Sequence, residues 1–171
     1  MRRPSFAGVA TLLLPVIAFT AVFAGARDPA AAPTLDPEVA RIQRQLATVE
    51  RELRDRDVSG LTPAQRAARV RSIEALHAYR LRGVFPKTPD FRDRAVPYFI
   101  DRYGTRCALA YLIEQSGDRD FVGRVAASRG NAASAELADN PELLAWLRQN
   151  GLTLGEAARI QSAYLGVRSS S

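Results

Sequence analysis

The stretch that decides the fold is DPEVARIQRQLATVERELRDRDVSGLTPAQRAARVRSIEALHAYRLRG, residues 36–83. Its first part repeats apolar residues at spacings of three and four, which places them on one face of an α-helix and charged residues on the others. The members of this apolar stripe are Val39, Ile42, Leu46, Val49 and Leu53. Asp36 is a typical N-cap, and Pro37 suits the first helical position. The pattern predicts a helix that ends before Val58-Ser59-Gly60.

A second helix follows in the same stretch. Thr62 and Gln65 are spaced as a capping box, and Gly83 is a typical C-terminal residue. The spacing predicts one apolar face, made of Val70, Ile73, His77 and Leu81. Two helices joined by a short turn predict an antiparallel hairpin over residues 36–83. The apolar stripe of the first helix is suited to packing on either of two partners. One is the second helix, and the other is another copy of the chain, in self-association through residues 36–57.

Short helices also account for most of the C-terminal half. N-cap residues mark their starts at Thr105, Asp118, Asn140 and Thr153. The first of them is expected over residues 106–116, and a short helical turn is expected over residues 132–138. Residues 84–104 contain three prolines and are expected to form one long loop.

The sequence as a whole therefore predicts an all-α protein. We expect a single compact domain of six or seven short helices over residues 36–165. It would comprise the hairpin (36–83), the Pro-containing loop (84–104) and a helical core (105–165). The Ser-rich residues 166–171 are expected to be a disordered tail.

The N-terminus has the layout of a secretory signal peptide over residues 1–26. Two arginines precede an uncharged apolar stretch, and Ala24-Gly25-Ala26 provides the small residues of a cleavage site. A cleaved leader predicts a periplasmic or extracellular protein. The stretch is also long enough to cross a bilayer, so an uncleaved N-terminal transmembrane anchor is the alternative. Residues 27–35, RDPAAAPTL, are expected to be a flexible linker.

Composition excludes several classes of function. The 171 residues suit one domain and leave no room for a large two-domain enzyme. Lys plus Arg is 24 and Asp plus Glu is 18, a net charge of +6 that is spread along the chain and does not predict nucleic-acid binding. One Cys excludes an intrachain disulfide, and one His makes a His-based metal site improbable. The sequence contains no Gly-rich phosphate loop, and we predict neither a metal nor a cofactor.

Cys107 and His77 are the candidate catalytic residues. With Thr105 as the N-cap, Cys107 would lie at the second helical position, where a helix N-terminus lowers the pKa of a thiol. A Cys so placed and paired with His would make a hydrolase or transferase. The local pattern resembles the nucleophile helix of transglutaminase-like and papain-like enzymes, but those families place their His after the Cys, and here none follows. The structural interpretation, which we favour, is a small buried Cys107 and a partly buried His77.

The candidate binding surface is the end of the long loop. Tyr98, Phe99, Arg102 and Tyr103 combine aromatic rings with a guanidinium, a mixture that is enriched at protein interfaces. The alternative is that these aromatic residues pack the loop onto the core.

Three stretches resemble a family of exported bacterial proteins without an assigned activity. They are PYFIDRYGTRCALAYLIEQSG (97–117), ELADNPELLAWL (136–147) and GLTLGEAARIQSAY (151–164). The family pattern ends in I-Q-P-x-Y, whereas this chain has Ser162 in place of the proline. The resemblance implies an envelope or extracellular location in a bacterium, and it supplies no catalytic residue.

These observations predict a non-enzymatic binding or structural component of the bacterial cell envelope, whose partner would be an envelope protein or another copy of the chain. The alternative is the Cys-dependent hydrolase or transferase that uses Cys107 with His77.

Overall fold

The computed structural model describes residues 36–87, 99–127 and 139–164. Within them lie six helices: α1 (Pro37–Asp55), α2 (Pro63–Arg82), α3 (Ala108–Gln115), α4 (Arg119–Ala127), α5 (Pro141–Gln149) and α6 (Leu154–Ser162). These residues belong to one compact unit, and their only β pairing is an isolated bridge between Ile100 and Arg106. The predicted all-α single domain is confirmed.

Several expectations concern parts of the chain outside the described residues. They are the signal peptide (1–26), the linker (27–35), most of the long loop (88–98), the helical turn (132–138) and the tail (166–171). Across the described ranges, no helix is long and apolar enough to span a membrane.

Contacts between α1 and α2 confirm the predicted antiparallel hairpin. Gln43 Nε2 donates to the carbonyl of Arg80 at 2.9 Å, and Arg69 Nη2 donates to the carbonyl of Leu53 at 2.7 Å. The start of α1 therefore lies beside the end of α2. The apolar stripe of α1 is buried against α2 and α6, most completely at Ile42, Leu46, Val49 and Leu53. Because the stripe packs within the chain, it does not offer residues 36–57 as an apolar surface for self-association.

The apolar face predicted for α2 is confirmed at Ile73, which is buried, and is wrong at its other three residues. Val70 and Leu81 are 52% and 60% exposed, and the His77 side chain is 45% exposed. The buried residues of α2 are Ala68, Arg69, Ser72, Ile73, Leu76 and Tyr79. Polar residues of α2 face the interior because Arg69 has charged and polar partners there. Its Nη2 lies 2.7 Å from Glu156 Oε1 of α6 in a buried ion pair.

Local capping signals fix the starts of α2, α5 and α6 as predicted. Thr62 with Gln65 and Thr153 with Glu156 form complete capping boxes. Asn140 caps α5 through two backbone N–H groups.

Helix α3 forms the centre of the core, where it packs on α2, α4 and α6. Its buried side chains are Ala108, Leu109, Ala110, Leu112 and Ile113.

Candidate functional site

A tight turn at residues 101–105, which we call the Asp101 turn, leads into α3. The Asp101 carboxylate accepts backbone N–H groups of Lys87 (2.9 Å), Tyr103 (2.9 Å) and Thr105 (2.8 Å). Gly104 donates its N–H to the carbonyl of Asp101 at 2.9 Å. Burial raises the pKa of Asp101, but the three N–H groups outweigh this and hold the pKa below its usual value. A charged carboxylate thus fixes the turn from inside at neutral pH.

The turn separates the predicted interface residues. Phe99 is 0% exposed and packs in the core, so the prediction that it lies on a binding surface is wrong. Tyr103 is 65% exposed. The guanidinium of Arg102 lies 4.9 Å from the centre of the Tyr103 ring, and its Nη2 donates to the Tyr103 hydroxyl at 2.8 Å. Tyr98 lies outside the described residues. The interface hypothesis now rests on Arg102 and Tyr103, with Phe99 as their buried anchor.

Cys107 is the N-cap of α3, and the expected cap at Thr105 is wrong. The N–H of Cys107 donates to the carbonyl of Phe99 at 2.9 Å, and the N–H of Asp101 donates to the carbonyl of Thr105 at 2.9 Å. These bonds keep residues 105–107 extended, so the helix begins only at Ala108. The thiol accepts the N–H of Ala110 at 3.4 Å.

Tyr79 and Tyr164 cover the start of α3, where their hydroxyls form a chain of hydrogen bonds with the backbone. The Ala108 N–H donates to the Tyr164 hydroxyl, the two hydroxyls of Tyr164 and Tyr79 are in contact, and the Tyr79 hydroxyl donates to the carbonyl of Arg106, all at 2.8 Å. Because Tyr79 has one hydroxyl proton and gives it to Arg106, Tyr164 must donate to Tyr79. Burial raises the pKa of both tyrosines, which keeps the chain of hydrogen bonds protonated.

The Cys107 thiol is 0% exposed and lacks the properties of a nucleophile. Burial raises its pKa to about 11, against which the Ala110 N–H and the nearby Gln161 amide have a smaller lowering effect. The amide approaches the thiol without hydrogen-bond geometry, since both polar atoms of Gln161 lack a partner among the described residues. A neutral, inaccessible thiol at pH 7 argues against the hydrolase or transferase alternative.

We expect Cys107 to resist alkylation in the folded protein. Iodoacetamide at neutral pH should modify it roughly a hundredfold or more slowly than in concentrated urea, because reaction must wait for opening of the core. Mass spectrometry reports this site alone, since the chain has one Cys. Modification of the native protein at the rate of an exposed thiol would contradict the burial.

His77 has a different partner from Cys107. Its Nδ1 lies 2.9 Å from Glu50 Oε1, and Arg80 Nε donates to Glu50 Oε2 at 3.1 Å. Arg80 Nη2 is also 3.1 Å from the same His77 nitrogen. The Glu50 carboxylate can only accept, so we assign a hydrogen to Nδ1 that is donated to Glu50, and the Arg80 Nη2 contact is then a close approach and not a hydrogen bond. In the structure His77 is bound to Glu50, whereas Cys107 lies at the start of α3 near Tyr79 and Tyr164. His77 and Cys107 are therefore not paired.

Glu50 is the residue of this region that the sequence analysis missed. Burial raises its pKa, but hydrogen bonds from Arg54, His77 and Arg80 outweigh burial and lower the pKa below its usual value. The cluster ties α1 to α2. In the sequence, Glu50 is only an acidic residue beside the apolar stripe of α1. A solvent-exposed helix face has the same pattern, so the sequence did not single Glu50 out. By contrast, Asp101 followed three residues later by Gly104 is a recognisable turn signature.

In the part of the chain that the structure describes, no three of His, Cys, Asp and Glu are placed to hold a metal ion. No protein-family model, curated protein or solved structure matches this chain.

Proposed function

We propose that this chain is an exported, non-enzymatic bacterial protein that binds an acidic partner protein through the Asp101 turn. The observation that carries the proposal is the Tyr103 ring, 65% exposed and covered on one side by the Arg102 guanidinium. Tyrosine and arginine are enriched among the residues that dominate binding energy at interfaces. The envelope location is supported by the signal-like residues 1–26 and by the family resemblance.

The Asp101 turn holds the exposed side chains of Arg102 and Tyr103 on a fixed backbone. Asp101 and the buried Phe99 fix its backbone, while the Tyr103 side chain adds little to the core. A loop that is already held in one conformation loses little entropy when it binds. The arrangement therefore favours binding through Arg102 and Tyr103 rather than a purely structural use of the turn.

Charge indicates the nature of the partner. The Asp101 carboxylate is directed at backbone N–H groups, and Arg102 is the cationic side chain of the turn. A guanidinium beside an exposed aromatic ring is complementary to an acidic surface.

Site-specific photo-crosslinking tests this proposal. A benzophenone amino acid at position 103 should give one dominant adduct with another protein in the native host. The same probe at Val70, which is 52% exposed on α2, should not give it. Arg102→Glu should lower the yield about tenfold, because it puts like charges opposite each other.

Three outcomes would overturn the proposal. They are equal adducts at positions 103 and 70, an adduct only with a second copy of this chain, and a yield unaffected by Arg102→Glu. A far-UV circular dichroism spectrum that matches the unmodified protein would show that each variant is folded.

A further inference from the structure

A polar cavity lies between α1 and α6. This cavity, which we call the α1–α6 groove, is open to solvent and has a volume of about 350 Å³. Its lining residues are Arg41, Arg44, Gln45, Thr48, Val49, Arg159 and Ser162. They include three arginines and no carboxylate. The Asp101 turn contributes nothing to this lining.

The helix period brings the α1 members together. Arg44 and Gln45 lie three and four residues after Arg41, and Thr48 lies four residues after Arg44, so these residues share one side of α1. This face adjoins the buried stripe, which packs α1 against α6 and so brings Arg159 to the opposite wall. The convergence of the charges follows from the packing of the core.

Two of the arginines are held in place by carboxylates outside the lining. Glu38 binds Arg41 at 2.5 and 2.8 Å, and Arg41 Nη1 also donates to Gln45 Oε1 at 2.9 Å. Glu52 binds Arg159 at 2.6 and 3.0 Å. Each of these guanidiniums is therefore ordered before any ligand arrives.

Arg44 has no such carboxylate. It is exposed, and its side chain makes no ion pair within the described ranges. Gln45 accepts from Arg41 through its amide oxygen. An unneutralised guanidinium in a groove with two ordered, carboxylate-paired ones is suited to an anionic group with several acceptor oxygens.

We infer that the α1–α6 groove binds a phosphate group, carried by a small phosphate ester or by an anionic phospholipid headgroup. Arg44 would contribute the principal direct contact, while Arg41 and Arg159, each paired with a carboxylate, would form ordered walls of the groove. The volume is larger than one phosphate requires, so the ligand would extend beyond that group. This site is independent of the partner surface proposed at the Asp101 turn.

Titration with inorganic pyrophosphate tests the inference for the soluble source. NMR resonances of α1 and α6 should shift at constant ionic strength, and Arg44→Gln should weaken binding about tenfold through the loss of a charge-assisted bond. Arg148→Gln is the matched control, because it removes the same charge from an exposed position on α5. Its affinity should equal that of the unmodified protein.

Sedimentation with phosphatidylglycerol vesicles, compared with phosphatidylcholine vesicles, tests the lipid source with the same variants. Arg44-dependent binding of pyrophosphate alone would assign a soluble ester, and Arg44-dependent binding of the anionic vesicles alone would assign a headgroup. Dependence in both assays would assign the phosphate group itself. Absence of binding in both assays, or equal weakening by the two substitutions, would overturn the inference. Circular dichroism melting curves establish that both variants are folded.

Discussion

Replacing Arg69 by methionine is expected to lower the free energy of unfolding by about 3–5 kcal/mol, because it leaves a buried carboxylate without its counter-charge. Arg69 is 4% exposed and Glu156 is 7% exposed. Their two closest contacts are 2.7 and 3.2 Å. The same guanidinium donates to the carbonyls of Gly151 and Leu53, both at 2.7 Å. The substitution therefore removes one side chain that connects α1, α2, α6 and the turn before α6.

Urea denaturation monitored by circular dichroism measures this loss. Arg159→Met is the control, since Arg159 pairs with Glu52 on the surface, where an ion pair contributes about 0–1 kcal/mol. Adding Glu156→Gln to Arg69→Met should recover part of the loss, because the amide carries no charge yet can still accept the Thr153 N–H. Similar losses for Arg69→Met and Arg159→Met would contradict the role of the buried pair.

The pH dependence has a defined sign. Burial raises the pKa of Glu156, but bonds from Arg69 and Thr153 outweigh burial and bring it below the ordinary 4.5. A carboxyl whose pKa is lower in the folded protein stabilises it above the unfolded pKa, and this contribution disappears as the pH falls through the folded pKa. In Arg69→Met the unpaired carboxyl becomes neutral on acidification. The stability difference between the two proteins should therefore narrow at acidic pH.

The helices were predictable where the deciding interactions are local. Asp36 and Asn140 cap helices through N–H groups two or three residues away, and Thr62 and Thr153 do the same within capping boxes. Such signals lie wholly within a few residues of sequence. The apolar stripe of α1 was equally clear, because its period matches one helix face over the whole element.

The failures occurred where distant residues decide the structure. The inward face of α2 was misassigned except at Ile73, because Arg69 is compensated by Glu156, which lies 87 residues away. The start of α3 was placed too early because Phe99 and Asp101, not the local caps, hold the preceding backbone extended. For the same reason, the sequence offered no way to divide the aromatic residues near the Asp101 turn into the buried Phe99 and the exposed Tyr103.

Gly151→Ala is expected to destabilise the protein by about 2–5 kcal/mol, the second large effect. Gly151 ends α5 with a φ of +61°, a left-handed conformation that costs about 1–2 kcal/mol for a residue with a Cβ. The new Cβ would also lie 2.8 Å from the carbonyl oxygen of Gln65 and 2.9 Å from Leu61 Cδ1. Backbone cannot move aside as a side chain does, so this overlap adds about 1–3 kcal/mol.

Gly83→Ala separates the two contributions. Gly83 has a φ of +66°, nearly the same as Gly151, but a Cβ there would meet the flexible end of Gln43 at 3.2 Å. This variant should show the left-handed strain alone, about 1–2 kcal/mol. Urea denaturation of both variants gives the difference, which measures how closely the turn between α5 and α6 approaches the start of α2. Equal losses would mean that the backbones are farther apart than the structure places them, and would also weaken the case for Arg69 as the side chain that binds the Gly151 carbonyl.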